Sequence, residues 1–294
     1  MTIDHQIAKL KHATLLGYFE HDSDEWHEAR KGVAGSLISC LMGHNPWRSA
    51  FTAFHEYQGN LPREESGPSL AMRLGSYFEQ TIKDFWVKEN SEWVKEIHNT
   101  GTWASTSNPM FKANPDGFIE WIDGSISLIE IKFTRNPMQD IPLHYYDQVM
   151  WYLHVLGLKK GLLVALANGE IVEHYVDYDK DYAEQLEERA IEFLDGITKN
   201  IAPDWDGSTS TYQTVRELSQ GIHDAECDLG DLYPELIAAK ENYDVANELF
   251  TEMKSRVLAK MDGAKDGMFN GERVLTLSSR GSGDPFIVFR KGNK

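Results

Sequence analysis

The sequence predicts an α/β fold: a small mixed sheet with Asp116 and Glu130 on its central strands, flanked by helices that carry Glu79 and Gln148. Three observations predict it. Gly117-Phe118-Ile119-Glu120-Trp121-Ile122 and Ser127-Leu128-Ile129 are β-prone runs on either side of Asp123-Gly124, a dipeptide that strongly marks a tight hairpin. Apolar residues recur at helical spacing both before and after that hairpin. Two further apolar runs, Leu162–Leu166 and Ile171–Val176, meet at Asn168-Gly169 and read as another pair of strands.

Taken in chain order, the N-terminal stretch MTIDHQIAKLKHATLL lacks the apolar core and small-residue cleavage site of a secretory signal. Trp26-His27-x2-Arg30-x-Gly32 then precedes a small-residue turn, Ala34-Gly35-Ser36. Leu37–Met42 reads as a short helix ended by Gly43, before Asn45-Pro46-Trp47. Ser36 is the expected N-cap. A helix N-terminus beside an arginine makes an anion site, and the Arg30 guanidinium can fork a terminal phosphate. An ordinary surface arginine has the same spacing.

Leu70, Leu74, Tyr77, Phe78, Ile82 and Phe85 define an apolar stripe, and at ~100° per residue Glu79 falls on its edge. Antiparallel pairing of the following hairpin brings Asp116 and Glu130 together. Lys132 shares the face of Glu130, because side chains alternate with period two. Two carboxylates and a cation suit a magnesium ion that also takes water and substrate phosphate. A solvated hairpin with surface charges is the plain alternative. Downstream, Tyr145, Tyr146, Val149, Met150, Leu153 and Leu156 define a second amphipathic helix, with Gln148 and Tyr152 on its other edge. An amide placed there can orient a water or phosphate without competing for metal.

The chain divides near residue 203, giving residues 1–202 as one domain. Residues 203–235 hold eight acids against one base, Arg216, and read as an acidic connector. Residues 236–294 form an appendage with ten bases against eight acids. Leu232, Leu236, Ala239, Tyr243, Ala246, Phe250, Met253 and Val257 follow a 4-3-4-3 spacing, a coiled-coil-like seam on a helix of ~45 Å. Gly263 ends it. Arg273–Leu277 and Phe286–Arg290 read as two strands joined by a Gly- and Ser-rich loop.

Composition excludes several classes. No apolar run approaches the ~20 residues that span a bilayer, so no membrane partner is expected. Two cysteines, Cys40 and Cys227, argue against a disulfide framework or a structural zinc site and rule out a four-thiolate iron–sulfur cluster. The net charge of −17 is unusual for a DNA-binding protein. A locally basic groove within an acidic exterior reconciles the two.

In order, Trp26-His27-x2-Arg30-x-Gly32…Ser36, Gly75-x3-Glu79, Asn114-Pro115-Asp116-Gly117, Glu130-Ile131-Lys132 and Gln148-Val149 resemble the lambda exonuclease / YqaJ-type viral recombinase family. That family belongs to the PD-(D/E)xK nuclease superfamily, and the resemblance covers roughly residues 20 to 200. It implies a 5′-to-3′ exonuclease that degrades one strand of duplex DNA from its end and leaves 3′ overhangs for phage-type recombination. Magnesium or manganese is the implied cofactor, two ions per site. Asp116, Glu130 and the Ile131 carbonyl are the implied ligands, with Glu79 at the second ion. Lys132 positions or helps deprotonate the attacking water, Gln148 orients that water or the scissile phosphate, and Arg30 and Ser36 hold the 5′-phosphate. The spacing from Arg30 to Ser36 is one residue shorter than the family's, and Asn114 replaces a small hydroxyl residue. The resemblance further implies a homotrimeric ring, a single-strand annealing protein as partner, and the cytoplasm of a bacterial host. Two alternatives use the same core: a structure-specific or restriction-type endonuclease, and a non-catalytic module that binds DNA ends or protein. The intact set Glu79, Asp116, Glu130 and Lys132 favours an enzyme.

Overall fold

A computed structural model of the chain describes residues 10–20, 23–61, 69–219, 221–279 and 283–289, with backbone alone at 71 and 72. The chain divides into two compact units, Met1–Gly221 and Ile222–Lys294. In order, the first contains β1 (Ala13–Gly17), α1 (Asp24–Ala29), α2 (Gly35–Leu41), α3 (Ala50–Tyr57), α4 (Leu70–Glu89), β2 (Val94–His98), β3 (Thr102–Ser105), β4 (Lys112–Ala113), β5 (Gly117–Trp121), β6 (Ile126–Thr134), α5 (Leu143–Leu156), β7 (Lys160–Ala167), β8 (Glu170–Asp177), α6 (Lys180–Lys199) and α7 (Thr209–Leu218). The second contains α8 (Leu232–Met261), β9 (Asp266–Phe269), β10 (Glu272–Ser278) and β11 (Phe286–Phe289).

The central sheet is mixed, with strand order β2-β5-β6-β7-β8. β5 and β6 form the expected antiparallel pair, Gly117 opposite Ile129, around a turn in which Gly124 takes φ 81°. β6 and β7 run parallel, and a parallel pair needs a crossover, which α5 supplies. β7 and β8 close on Asn168 and Gly169, both at positive φ, as a tight two-residue turn demands.

Side chains alternate across this sheet and feed two cores. Ile129 and Ile131 of β6 pack with Ile82 and Trp86 of α4. Leu128 faces the other way, into the larger core formed with α2, α5 and α6. Glu130 therefore points to the α5 side, in the company of buried neighbours. α5 is covered on most of its circumference, since Trp151 and Tyr152 are buried along with Val149, Met150 and Leu153.

Several local expectations differ from the structure. On α4, Leu70, Tyr77 and Phe85 are exposed; the buried line is Ile82 and Trp86 with Phe78 partly covered, a row of three at a spacing of four that follows the sheet. Ser36 does not cap α2. Ala34 occupies the cap, because Val33 is tied in extended form to the backbones of Met110 and Lys112, and Ser36 falls exposed in the first turn. β1, β3 and β4 make a separate three-stranded sheet that the sequence patterns did not indicate. The first unit runs past residue 202, since α7 docks on α3 through hydroxyls: Thr52 Oγ1 lies 2.8 Å from Thr214 Oγ1, and Thr211 Oγ1 donates to Ser49 Oγ at 2.8 Å.

In the second unit α8 has 30 residues and stops at Asp262 and Gly263, both left-handed. β9 is an additional strand beside the two expected, paired to β10 across Asn270-Gly271. Arg290, expected to end the last strand, and residues 1–9 lie outside the described residues.

Candidate metal and phosphate site

Asp116 stands at the entrance to β5 and Glu130 at the middle of β6, so the hairpin register sets them side by side. The Ile131 N–H donates to Asp116 Oδ2 at 2.7 Å, which fixes that carboxylate against β6. Lys132, two residues beyond Glu130 on the same face, donates to Glu130 Oε1 at 2.7 Å and to Gln148 Oε1 at 3.1 Å. Gln148 Nε2 donates to the same Glu130 oxygen at 2.6 Å and to the Tyr152 hydroxyl at 3.2 Å. Four residues expected at the site are thus brought together. Glu79 faces them from α4, and Lys83 one turn on bridges the two elements: its ammonium donates to the Asp116 carbonyl at 2.7 Å and lies 3.5 Å from Glu79 Oε1.

The Arg30 segment reaches the site by a backbone clamp. Gly32 takes φ 128°, and a Cβ there would lie 2.1 Å from the Met110 carbonyl, so only glycine lets the chain lie against this strand. Gly35 approaches α5 closely, where a Cβ would meet Gln148 Cγ at 2.6 Å. The Trp151 indole N–H then ties both strands of the clamp, donating to the Val33 and Lys112 carbonyls. Arg30 stacks on Trp26 at 4.3 Å and lines a cavity of about 280 Å³ with Trp26, Glu79, Lys83, Asn114 and Asp116. Ser36 is not part of that cavity's lining. Asn114 donates to Thr102 Oγ1 at 2.6 Å.

Burial disfavours the charged carboxylates. Glu130 is pushed up to about 8, by burial first and then by the Asp116 charge, against the pull of Lys132. Burial also raises Asp116, opposed by Lys132, the Ile131 N–H, Lys83 and Arg30. Glu79 is raised by burial and by Asp116. Burial works against the Lys132 ammonium, but Glu130 and Asp116 outweigh it and its pKa rises. Lys132 is a fixed cation here.

The donor set fits a hard divalent ion. Glu130 Oε2 is buried without a hydrogen-bond partner, an expensive state for a carboxylate oxygen unless a cation completes it. Asp116, Glu130 and Glu79 are spread more widely than the one group of three among the described residues whose ligating atoms all lie within 4.8 Å, namely Glu96, His98 and Glu120. That group sits on β2 and β5 and is held by ion pairs, with Lys95 Nζ 2.6 Å and His98 Nε2 3.0 Å from Glu120.

Lys83 and Asp147 were not singled out by sequence. Lys83 has a signal, lying i+4 from Glu79 on one helix face. Asp147 precedes Gln148 and is fully buried, accepting from Tyr182 OH at 2.5 Å and paired with His44 Nδ1 at 2.9 Å. Its partners lie 35 and 103 residues away, beyond any local pattern.

The chain is similar to several known proteins. The YqaJ-like viral recombinase domain matches residues 25–159, a span that holds all eight residues expected at the site. The uncharacterized protein YqaJ of Bacillus subtilis (strain 168) is 29% identical over 213 residues, covering 67% of this chain and 64% of that protein. Among solved structures, the alkaline exonuclease LHK-Exo from Laribacter hongkongensis has a TM-score of 0.49 and 18% identity, covering 67% of this chain and 100% of that one. A putative exonuclease from Eubacterium rectale has a TM-score of 0.41 and 11% identity, covering 74% of this chain and 98% of that one. No described helix is long and apolar enough to cross a membrane. With the sheet, the paired acids and Lys132 in place on one hairpin, residues 25–159 of the chain are similar to the YqaJ-like viral recombinase domain.

Proposed function

We propose that the chain is a metal-dependent exonuclease that digests one strand of duplex DNA in the 5′-to-3′ direction and leaves 3′ single-stranded overhangs for phage-type recombination. The observation that carries this reading is that Lys132 and Gln148 both donate to the buried Glu130 Oε1, with Asp116 beside it on the same hairpin and lining a cavity with Arg30. Asp116, Glu130 and the Ile131 carbonyl would hold one magnesium or manganese ion, and Glu79 would serve a second. Such ions supply positive charge at the scissile phosphate and lower the pKa of the attacking water.

The chain's own residues do the rest. Lys132, protonated and held by Glu130 and Gln148, orients the nucleophile and offsets charge on the phosphate rather than taking a proton. Gln148 keeps Glu130 Oε1 in place and presents an amide that a water or phosphate oxygen can share. Arg30, braced on Trp26, supplies a fork for the terminal 5′-phosphate, with the exposed Ser36 hydroxyl at the head of α2 as its neighbour in this reading. The assembly that goes with the reading is a homotrimeric ring around the duplex, in a bacterial cytoplasm, handing its product to a single-strand annealing protein.

One assay tests it. Linear and covalently closed duplexes, the linear ones with 5′-phosphate or 5′-hydroxyl ends, are incubated with and without magnesium. Digestion confined to linear DNA, dependent on magnesium and faster from 5′-phosphate, is expected. Rapid cutting of closed circles would move the chain to the endonucleases, and binding without cutting to the non-catalytic modules.

A further inference from the structure

Within the second unit α8 buries none of its residues, and the seam residues Leu232, Leu236, Tyr243, Phe250 and Met253 are exposed. β11 reaches only the C-terminal half of the seam: Phe289 stacks on Phe250 with ring centroids 6.0 Å apart and leaves Phe250 48% exposed. Phe289 is itself 57% exposed and continues the apolar face. Most helical stability comes from packing an apolar face, and a contiguous exposed apolar face marks an interaction surface. We propose that α8 pairs antiparallel with α8 of a second copy of this chain.

The sizes of the seam residues select the occupant and its direction. Leu236, Tyr243, Phe250 and Val257 fill one of the two seam positions, and Leu232, Ala239, Ala246 and Met253 fill the other. In a parallel pair each position faces its own copy. Tyr243 would then meet Tyr243 and Phe250 meet Phe250, while Ala239 and Ala246 faced alanines across a gap. In an antiparallel pair each position packs on the other. With Tyr243 against the second copy's Ala246, the same register sets Phe250 against Ala239, Leu236 against Met253 and Val257 against Leu232. Every bulky ring meets a methyl group, the large-on-small filling that a packed layer requires.

The flanks agree. In that register Glu235 falls beside Arg256 of the other copy, twice over by the two-fold axis, and Tyr233 falls beside Lys254. Lys240 falls beside Asn247 and Asn242 beside Leu249, so no like charges face each other along the seam. The pairing involves none of the proposed nuclease residues, and joins two chains whether or not the first unit forms a ring of its own.

The test uses the full chain. Light scattering is expected to give a mass that is an even multiple of the chain mass, and Ala246→Glu to halve it with helix content by circular dichroism unchanged. Glu248→Ala, off the seam, leaves the mass as it is. Direction is read by disulfide trapping in a Cys227→Ser background: chains carrying Leu236→Cys mixed with chains carrying Met253→Cys become linked, and neither links to itself. A monomeric full chain, an unchanged mass in Ala246→Glu, or Leu236→Cys linking to itself as a parallel pair would each overturn the proposal.

Discussion

The Gln148 amide donates to Glu130 Oε1 at 2.6 Å, the same oxygen that takes the Lys132 ammonium at 2.7 Å. An uncharged helix residue therefore fixes which oxygen of a buried carboxylate stays bound to protein and which, Oε2, is left without a hydrogen-bond partner, the oxygen that the proposed function gives to a cation. Partners that orient a metal ligand typically change metal affinity or activity ~10–100-fold when removed. Gln148→Leu is expected to lower magnesium-dependent hydrolysis by that factor, with part of the loss recovered at high magnesium. Rates measured across a magnesium titration check this. Loss of the same size at saturating metal would show that Gln148 acts on the substrate instead.

Removing a ligand is more severe. Glu130→Gln or Asp116→Ala is expected to reduce hydrolysis by at least ~100-fold, the scale on which a single charge-stabilising group in an active site acts. Folding should survive, because the amide of Glu130→Gln keeps the shape of a carboxyl that holds its proton below about 8, and Asp116→Ala removes a carboxylate whose ionised form burial disfavours. Turnover with matched thermal melts distinguishes lost chemistry from lost fold. A variant turning over near the parent rate would remove that residue from the site.

The pH dependence follows from the same penalty. Glu130 ionises near 8 in the folded chain and in the ordinary carboxyl range when unfolded, so between those values the folded state binds more protons. Stability of the metal-free protein therefore falls as pH rises through that window. A bound cation favours the carboxylate and reverses the trend. Magnesium should raise the melting temperature more at pH 8 than at pH 6, as melts at both pH values with chelator or magnesium will show.

Much of this site was legible because its parts are local in sequence. Asp123-Gly124 and the alternation around it set the Asp116–Glu130 register, and helical spacing put Glu79 and Gln148 on the correct helices. Features that rest on distant partners were not legible. The α4 stripe was drawn through Tyr77 and Phe85 because their hydrophobicity is visible, whereas the sheet decides that Trp86 is covered and they are not. Ser36 has the chemistry of a cap, yet the clamp of Val33 onto Met110 and Lys112 starts the helix at Ala34 instead. Asp147 looks like a surface acid until His44 and Tyr182 arrive from other elements.

Asp147 also has a measurable role. Its carboxylate locks α5 to α6 and to the turn after α2, one residue from Gln148. Asp147→Ala leaves Tyr182 and His44 without their acceptor and is expected to destabilise the first unit by ~3 kcal/mol, the scale of losing two buried hydrogen bonds to a carboxylate. Chemical denaturation reads this directly. A change below ~1 kcal/mol would mean that the pair is solvated.

In the proposed reading Arg30 bears on specificity rather than on the chemical step. It lines the cavity with Asp116 and Glu79 but makes no metal ligand, and the Trp26 ring braces it at 4.3 Å. A charge-assisted fork is worth about 1.5–3 kcal/mol, or roughly ten- to a hundredfold in rate. Arg30→Ala should erase a preference of that size for 5′-phosphate over 5′-hydroxyl ends while leaving the slower rate unchanged. Equal rates on both ends in the parent protein would remove the phosphate pocket from the reading.

Truncation separates the two units and depends on where the chain is cut. α7 closes over Ser49 and Thr52 of α3, with Ser210, Thr211 and Thr214 supplying the opposing hydroxyls. A cut after Ile201 removes all three, at on the order of 0.5–1.5 kcal/mol for each hydrogen bond lost, together with Trp205, whose ring packs edge-on against Phe51. A cut after Gly221 follows the division between the compact units and leaves those contacts whole. The longer fragment is therefore expected to melt within a few degrees of the full chain and to retain its nuclease activity and any ring it forms. The shorter one should melt well below both. Melting curves, light scattering and digestion of linear duplex on the two fragments decide this, and equal melting of both would show that α7 contributes nothing to the first unit.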